Sequence, residues 1–261
     1  MELPLFPLNT VLCPGIALPL HIFEDRYRAL VRHCLETSSP FGVVLIRQGR
    51  EVGTGAISFT GIGTIAEIRD AGTDDAGRYD LLVVGTKRFE IRRVLSGRRP
   101  YLVAEVQVLE EEVGDGQAAQ RLAMTATRRF VKYLELLQPR SGETADEIDV
   151  RVEVETEDDE PVDDDDDDVE PAAAGDELVG DQEPPRRTRR VAIPDDPTIL
   201  SYLLAGILQV ESPRRQALLE AATTEERLRG LLTLIDREIL LLQRRLRFFR
   251  ADVRVAGPRR S

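Results

Sequence analysis

The amino-acid sequence predicts an α+β fold, a small β-barrel or rolled sheet followed by a helical bundle, and three observations carry that prediction. Residues 1–112 are short β-branched or alternating segments broken by Gly and Pro, with a single helical stretch among them. From Gln117 the apolar spacing lengthens to about four residues, the mark of a helix. Between two helical regions stands an acidic segment, rich also in Pro and Gly, with too little apolar surface to join a core. The expected organisation is a barrel over 1–112, a first bundle helix over 117–138, a disordered acidic linker over 140–194, the rest of the bundle over 195–250 and a mobile tail over 251–261.

Each element has its own local reason. Phe23 to Leu35 places Tyr27, Leu30, Val31, Cys34 and Leu35 at helical spacing, while Asp25, Arg26, Arg28 and Arg32 take the opposite face, so this helix should lie against the sheet. Phe41 to Ile46 is a continuous apolar run of strand length between Pro40 and Gly49 and reads as a buried strand. Thr64–Ile68, Tyr79–Gly85, Arg88–Val94 and Tyr101–Leu109 follow as strands, separated by the turn signals GTDDAG, GTK and SGRRP. Leu122, Ala126, Phe130, Leu134 and Leu137 then mark a helix that Pro139 stops.

After the acidic segment, Ile199, Leu203 and Leu204 begin a short apolar helix. Ser212-Pro213 reads as an N-cap with proline at the first helical position. Thr223 and Glu226 have capping-box spacing and open a long final helix with Leu228, Leu231, Ile235 and Ile239 along one side.

Charge is unevenly placed. The formal net charge is -12, yet Ser141–Glu183 alone carries about 21 acidic residues against one Arg, leaving roughly +8 on the remainder. The folded part is therefore mildly basic. Two cysteines, Cys13 and Cys34, are too few for a disulfide framework and sit in no CxxC pair, which fits a reducing cytoplasm. The apolar N-terminus contains Glu2, four prolines and no Lys or Arg through residue 20, unlike an export signal. No apolar run reaches the roughly 18 residues a membrane helix needs.

Several blocks, in order over most of the chain, resemble the N-terminal substrate-recognition domain of Lon proteases. LPLFPLNTVLCPG followed by LPLHIFEDRYRALV is similar to that family's opening strand and first helix. FGVVLI, VGTGA, GRYDLLVVGTKRFEI and PYLVAEV are similar to its later strands, and SPRRQALLEAATTEERLRGLLTLIDRE to its helical end. The resemblance implies a PUA-like β-barrel joined to a helical bundle, and a module that recognises segments of other proteins. The acidic insertion departs from the family pattern. A full Lon protease also needs an ATPase and a Ser-Lys peptidase module, which do not fit in 261 residues, so a stand-alone, non-enzymatic member is expected. No GxxxxGK[ST] phosphate loop occurs.

The sequence offers little catalytic chemistry. No serine lies in a GxSxG or SxxK setting, so a hydrolase would need a site assembled from distant residues. His21, His33, Cys13 and Cys34 match no zinc spacing, and the aspartate run lacks the glycine and terminal Glu of a calcium loop. Neither a metal nor a cofactor is expected. RNA binding is the competing reading that a PUA-like barrel raises, but the basic pair Lys87-Arg88 has only Phe89 beside it, in phase with Ile91 and so expected to be buried.

The candidate protein-binding patch is Glu24, Asp25, Arg26 and Tyr27, which open the first helix where a strand ends and can be presented at a barrel edge; the plainer reading is that the two acids favour a helix N-terminus. Expected partners are unfolded or tagged protein segments, or a protease or chaperone supplied separately. The acidic insertion reads either as a solvated linker or as a mimic of an acidic partner that folds back on basic surface or on Arg186–Arg190.

Overall fold

The computed structural model describes residues 1–48, 58–95, 97, 99–137, 150–153 and 189–255. Seven strands, β1 (Glu2–Leu8), β2 (Ala17–Ile22), β3 (Phe41–Gln48), β4 (Ser58–Phe59), β5 (Ile62–Thr73), β6 (Tyr79–Leu95) and β7 (Leu102–Val108), form one sheet, with helix α1 (Asp25–Thr37) between β2 and β3. The sheet closes on itself. β1 pairs antiparallel with β7 along one edge and parallel with β3 along the other, and β3, β5, β6 and β7 are joined in antiparallel pairs. Ring closure gives the five-strand path no free edge. β4 extends β3, and β2 pairs with the first part of β6.

Alternation along each strand divides the apolar residues into two cores. Leu3, Leu5, Val44, Ile65, Phe89 and Val106 form one cluster inside the ring. Phe6, Tyr27, Leu30, Val31, Phe41 and Val83 belong to a second, between the ring and α1. The Phe89 ring is fully buried, and a Cβ on Gly63 would lie 2.8 Å from its Cζ and 2.4 Å from the Val43 carbonyl oxygen. Glycine there lets the aromatic ring fill the barrel. α1 buries Tyr27, Leu30, Val31 and Cys34, as the spacing predicts, whereas Leu35 is exposed. The helix ends at Ser38, whose left-handed backbone (φ 50°) turns the chain into β3.

The structure corrects the expected pair of strands Tyr79–Gly85 and Arg88–Val94: they are one strand, β6. Gly-Thr-Lys marks a change of neighbour and not a reversal. Gly85 donates to the Ile16 carbonyl and accepts from Gly15 N–H, and beyond it β6 leaves β2 to pair with β7. A Cβ on Gly85 would lie 2.5 Å from the Cys13 carbonyl oxygen, so glycine permits this crossing.

Helices α2 (Gly116–Leu137), α3 (Pro197–Ile207), α4 (Ser212–Glu220) and α5 (Thr224–Val255) form the bundle, with α2 packed on α5 and α3. Asp115 caps α2 by accepting from Gln117 and Ala118 N–H, and Asp196 caps α3 by accepting from Thr198 and Ile199 N–H. Ser212, expected to cap α4, lies inside its first turn after Glu211 and donates instead to the Asn9 carbonyl. At α5 the cap forms with one change: Thr223 Oγ1 accepts from Glu226 N–H, while Glu226 Oε2 accepts from the N–H of Ala222, one residue before the cap. α5 continues past residue 250 to Val255, because the first helix-ending pair is Gly257-Pro258.

Residues 138–193 form a separate unit, of which the structure describes a parallel pairing of β8 (Val150–Glu153) with β9 (Arg189–Ala192). The VGTGA block, most of the acidic segment 140–194 and the end of the chain beyond Val255 lie outside the described residues.

Candidate protein-binding surface

The barrel and bundle are joined by a buried polar cluster. Arg88 of β6 donates from Nε to Glu111 Oε1 at 2.8 Å and from Nη1 to the Leu219 and Ala221 carbonyls, which lie at the end of α4. Arg227 of α5 donates to the Leu218 carbonyl, to Ser201 Oγ and, at 3.3 Å, to Glu111 Oε2, and it stacks on the Tyr202 ring. Tyr202 donates to Glu111 Oε1 at 2.7 Å. Burial alone would raise the Glu111 pKa, but the bonds from Arg88 and Tyr202 and the charges of Arg88 and Arg227 hold it below the usual carboxylate range. Arg88 is thus a clamp residue and not, with Lys87, part of a basic platform for RNA.

The four residues read from sequence as a binding patch are placed together but not alike. Glu24 is the N-cap residue of α1, with no side-chain capping bond, and its carboxylate meets Arg26 Nη2 at 3.1 Å. Asp25 is almost fully exposed and accepts from Arg28 at 3.0 Å. Tyr27 lies in the core against Phe6, with its ring beneath the Arg26 guanidinium at 4.4 Å. It can position Arg26 but cannot itself be presented at the edge. A shallow cleft of about 170 Å³ runs beside Arg26 and Tyr27, walled by Leu95, Arg99 and Tyr101; a second, of about 260 Å³, lies across Tyr101 beside His33. Both are smaller than the usual enclosure for a drug-sized ligand.

The more open apolar feature is the outer face of β2 and β6. On β2, Ala17, Pro19 and His21 point outward while Leu18, Leu20 and Ile22 point to the core. On β6, Leu81 and Val83 are buried and Leu82 is 41% exposed. The register sets Pro19 opposite Leu82 and Ala17 opposite Val84. Phe23, 50% exposed, stands between this face and the start of α1, its ring 6.3 Å from that of His21. Reading the residues alone missed this face: Leu81 to Val84 is an unbroken apolar run, which hides the alternation that exposes Leu82.

Other chemical groups are tied into the fold. Burial pushes the thiols of Cys13 and Cys34 up to about 11. His21 Nδ1 lies 2.6 Å from Asp80 Oδ1, and His33 stacks on Tyr101. Among the described residues, no group of three or more His, Cys, Asp or Glu is placed to hold a metal, and no helix is long and apolar enough to cross a membrane.

A closed barrel clamped to a helical bundle, with exposed apolar side chains on its outer sheet face, defines a class of domain with known relatives. Residues 2–237 match the model of the ATP-dependent protease La (LON) substrate-binding domain, and the chain belongs to that family. It is 29% identical over 137 residues to a Lon protease of Anaeromyxobacter dehalogenans and 32% identical over 111 residues to Lon protease 2 of Myxococcus xanthus, covering 52% and 42% of this chain. The matched regions span only 16% and 13% of those proteins.

Among solved structures, a Lon N-terminal domain protein from Xanthomonas campestris superposes with a TM-score of 0.54 at 24% identity, over 89% of this chain and 98% of that one. The N-terminal domain of a Mycobacterium avium complex Lon protease gives 0.55 at 18%, over 90% and 98%. Both show the fold expected from the sequence.

Proposed function

We propose that this chain is a non-catalytic recognition module that binds unfolded or tagged segments of other proteins, for delivery to a protease or chaperone. The observation that carries the reading is the solvent-facing group Pro19, Leu82 and Phe23, which adjoins the start of α1 at Glu24–Arg26. Apolar side chains on an open sheet face offer area to an extended segment without requiring one sequence. The family supports a protein ligand.

The test is fluorescence anisotropy of a labelled, permanently unfolded polypeptide against the wild type, Leu82→Ser and Phe23→Ser. Binding that weakens about tenfold in each variant, with unchanged circular dichroism, supports the reading. Wild-type affinity in both variants refutes this surface. Turnover of a peptide library by the pure protein would refute the non-catalytic assignment.

A further inference from the structure

We infer that the outer sheet face selects extended segments in which basic residues accompany the apolar ones. This rests on the recognition role proposed above and adds the chemistry of the preferred ligand. The register places three rows across β2, β6 and β5: Ala17–Val84–Glu67, Pro19–Leu82–Asp70 and His21–Asp80–Gly72. The middle of this face is apolar, and its β5 flank and lower end carry carboxylates. Glu67 is matched by Arg69 at 3.1 Å. Asp70 accepts the Ala71 N–H and has no ion-pair partner among the described residues. Asp80, whose side chain is 71% exposed, lies 2.6 Å from His21 Nδ1. On the same face as Leu82, neither Asp70 nor Asp80 meets a Lys or Arg among the described residues.

Charge complementarity chooses among the occupants this face could take. An extended segment rich in Asp and Glu would be repelled by these carboxylates. A second copy docking by the same face would bury the Asp70 and Asp80 carboxylates of both copies in one interface. An extended segment with Lys or Arg between its apolar side chains places apolar groups on Pro19 and Leu82 and cations beside Asp70 and Asp80. Exposed pairs are each worth a small factor, so two of them give about fivefold discrimination at low salt. Screening reduces that ratio as salt rises.

The experiment compares two labelled unstructured peptides that share every apolar residue and differ only in Lys or Glu between them. Each is titrated by anisotropy at low and high salt against the full chain, the Asp70→Asn/Asp80→Asn variant and Leu82→Ser, with sedimentation run in parallel. The expected result is about fivefold tighter binding of the Lys peptide. The ratio should fall toward one in the double Asn variant and at high salt, and Leu82→Ser should weaken both peptides. Equal binding of the two peptides, with both weakened by Leu82→Ser, overturns the charge preference and leaves the recognition surface standing. Indifference of both peptides to Leu82→Ser overturns the surface itself. Self-association abolished by Leu82→Ser assigns the face to a second copy and overturns the inference.

Discussion

Replacing Glu111 by glutamine keeps the shape of the side chain and removes the charge on which two buried guanidinium groups converge. Arg88 and Arg227 have side chains 3% and 0% exposed, so neither can turn to water when the carboxylate is neutralised. Breaking a buried pair by altering one partner costs about 3–5 kcal/mol. Glu111 itself is 32% exposed, which places the cost at the lower end, about 3 kcal/mol. For a chain of this size that lowers Tm by about 9 °C. The matching control is Glu105→Gln, which weakens the exposed pair with Arg93 and should cost under about 1 kcal/mol. Thermal unfolding followed by circular dichroism and calorimetry measures both. Equal shifts in the two variants would refute the reasoning that Glu111 holds the barrel to the bundle.

The same clamp makes a pH prediction. The folded-state pKa of Glu111 is depressed, so its contribution is complete above the unfolded value of about 4.3 and is lost as pH falls through the folded value. The stability difference between wild type and Glu111→Gln should therefore shrink below about pH 4.3.

Three further outcomes follow from packing and burial. Tyr27→Ala should lose about 3–5 kcal/mol in chemical denaturation, because its ring is held between Phe6 and the Arg26 guanidinium; a variant of wild-type stability would return Tyr27 to the surface. Gly63→Ala should destabilise by about 1–3 kcal/mol or more through collision with Phe89 and the Val43 carbonyl, and unchanged stability would show that the barrel interior has room to yield. Cys13 and Cys34, with pKa values of about 11, should react with an aromatic disulfide reagent at neutral pH at least about a hundredfold more slowly in the native protein than after denaturation. Equal rates would contradict their burial.

What could be read from the residues was whatever depends on near neighbours. The buried face of α1 follows from Tyr27, Leu30, Val31 and Cys34, and the capping of α5 from Thr223 and Glu226, because both patterns close within a few residues. The burial of Arg88 is not legible in the sequence because its partners, Glu111, Leu219 and Ala221, lie far along the chain. The continuity of β6 through Gly85 is hidden because the need for glycine arises from the backbone of Cys13, which no local pattern shows. The candidate patch at the start of α1 includes Tyr27, whose helical spacing with Leu30 and Cys34 marks it as core. The exposure of Leu82 is hidden for the opposite reason, since its apolar neighbours give the whole run the pattern of a buried strand.

The ring closure through β1 has a consequence for synthesis. β1 leaves the ribosome before both of its partners, β3 and β7, the second of which ends at Val108. At about 5–20 residues per second, Leu3, Leu5, Phe6 and Leu8 wait several seconds before both edges of their strand can be matched. During that interval the nascent chain presents an apolar extended segment of the kind this domain is proposed to capture. Slow decoding ahead of β7 should increase its demand for chaperones, and β1 is where misassembly between nascent copies would begin.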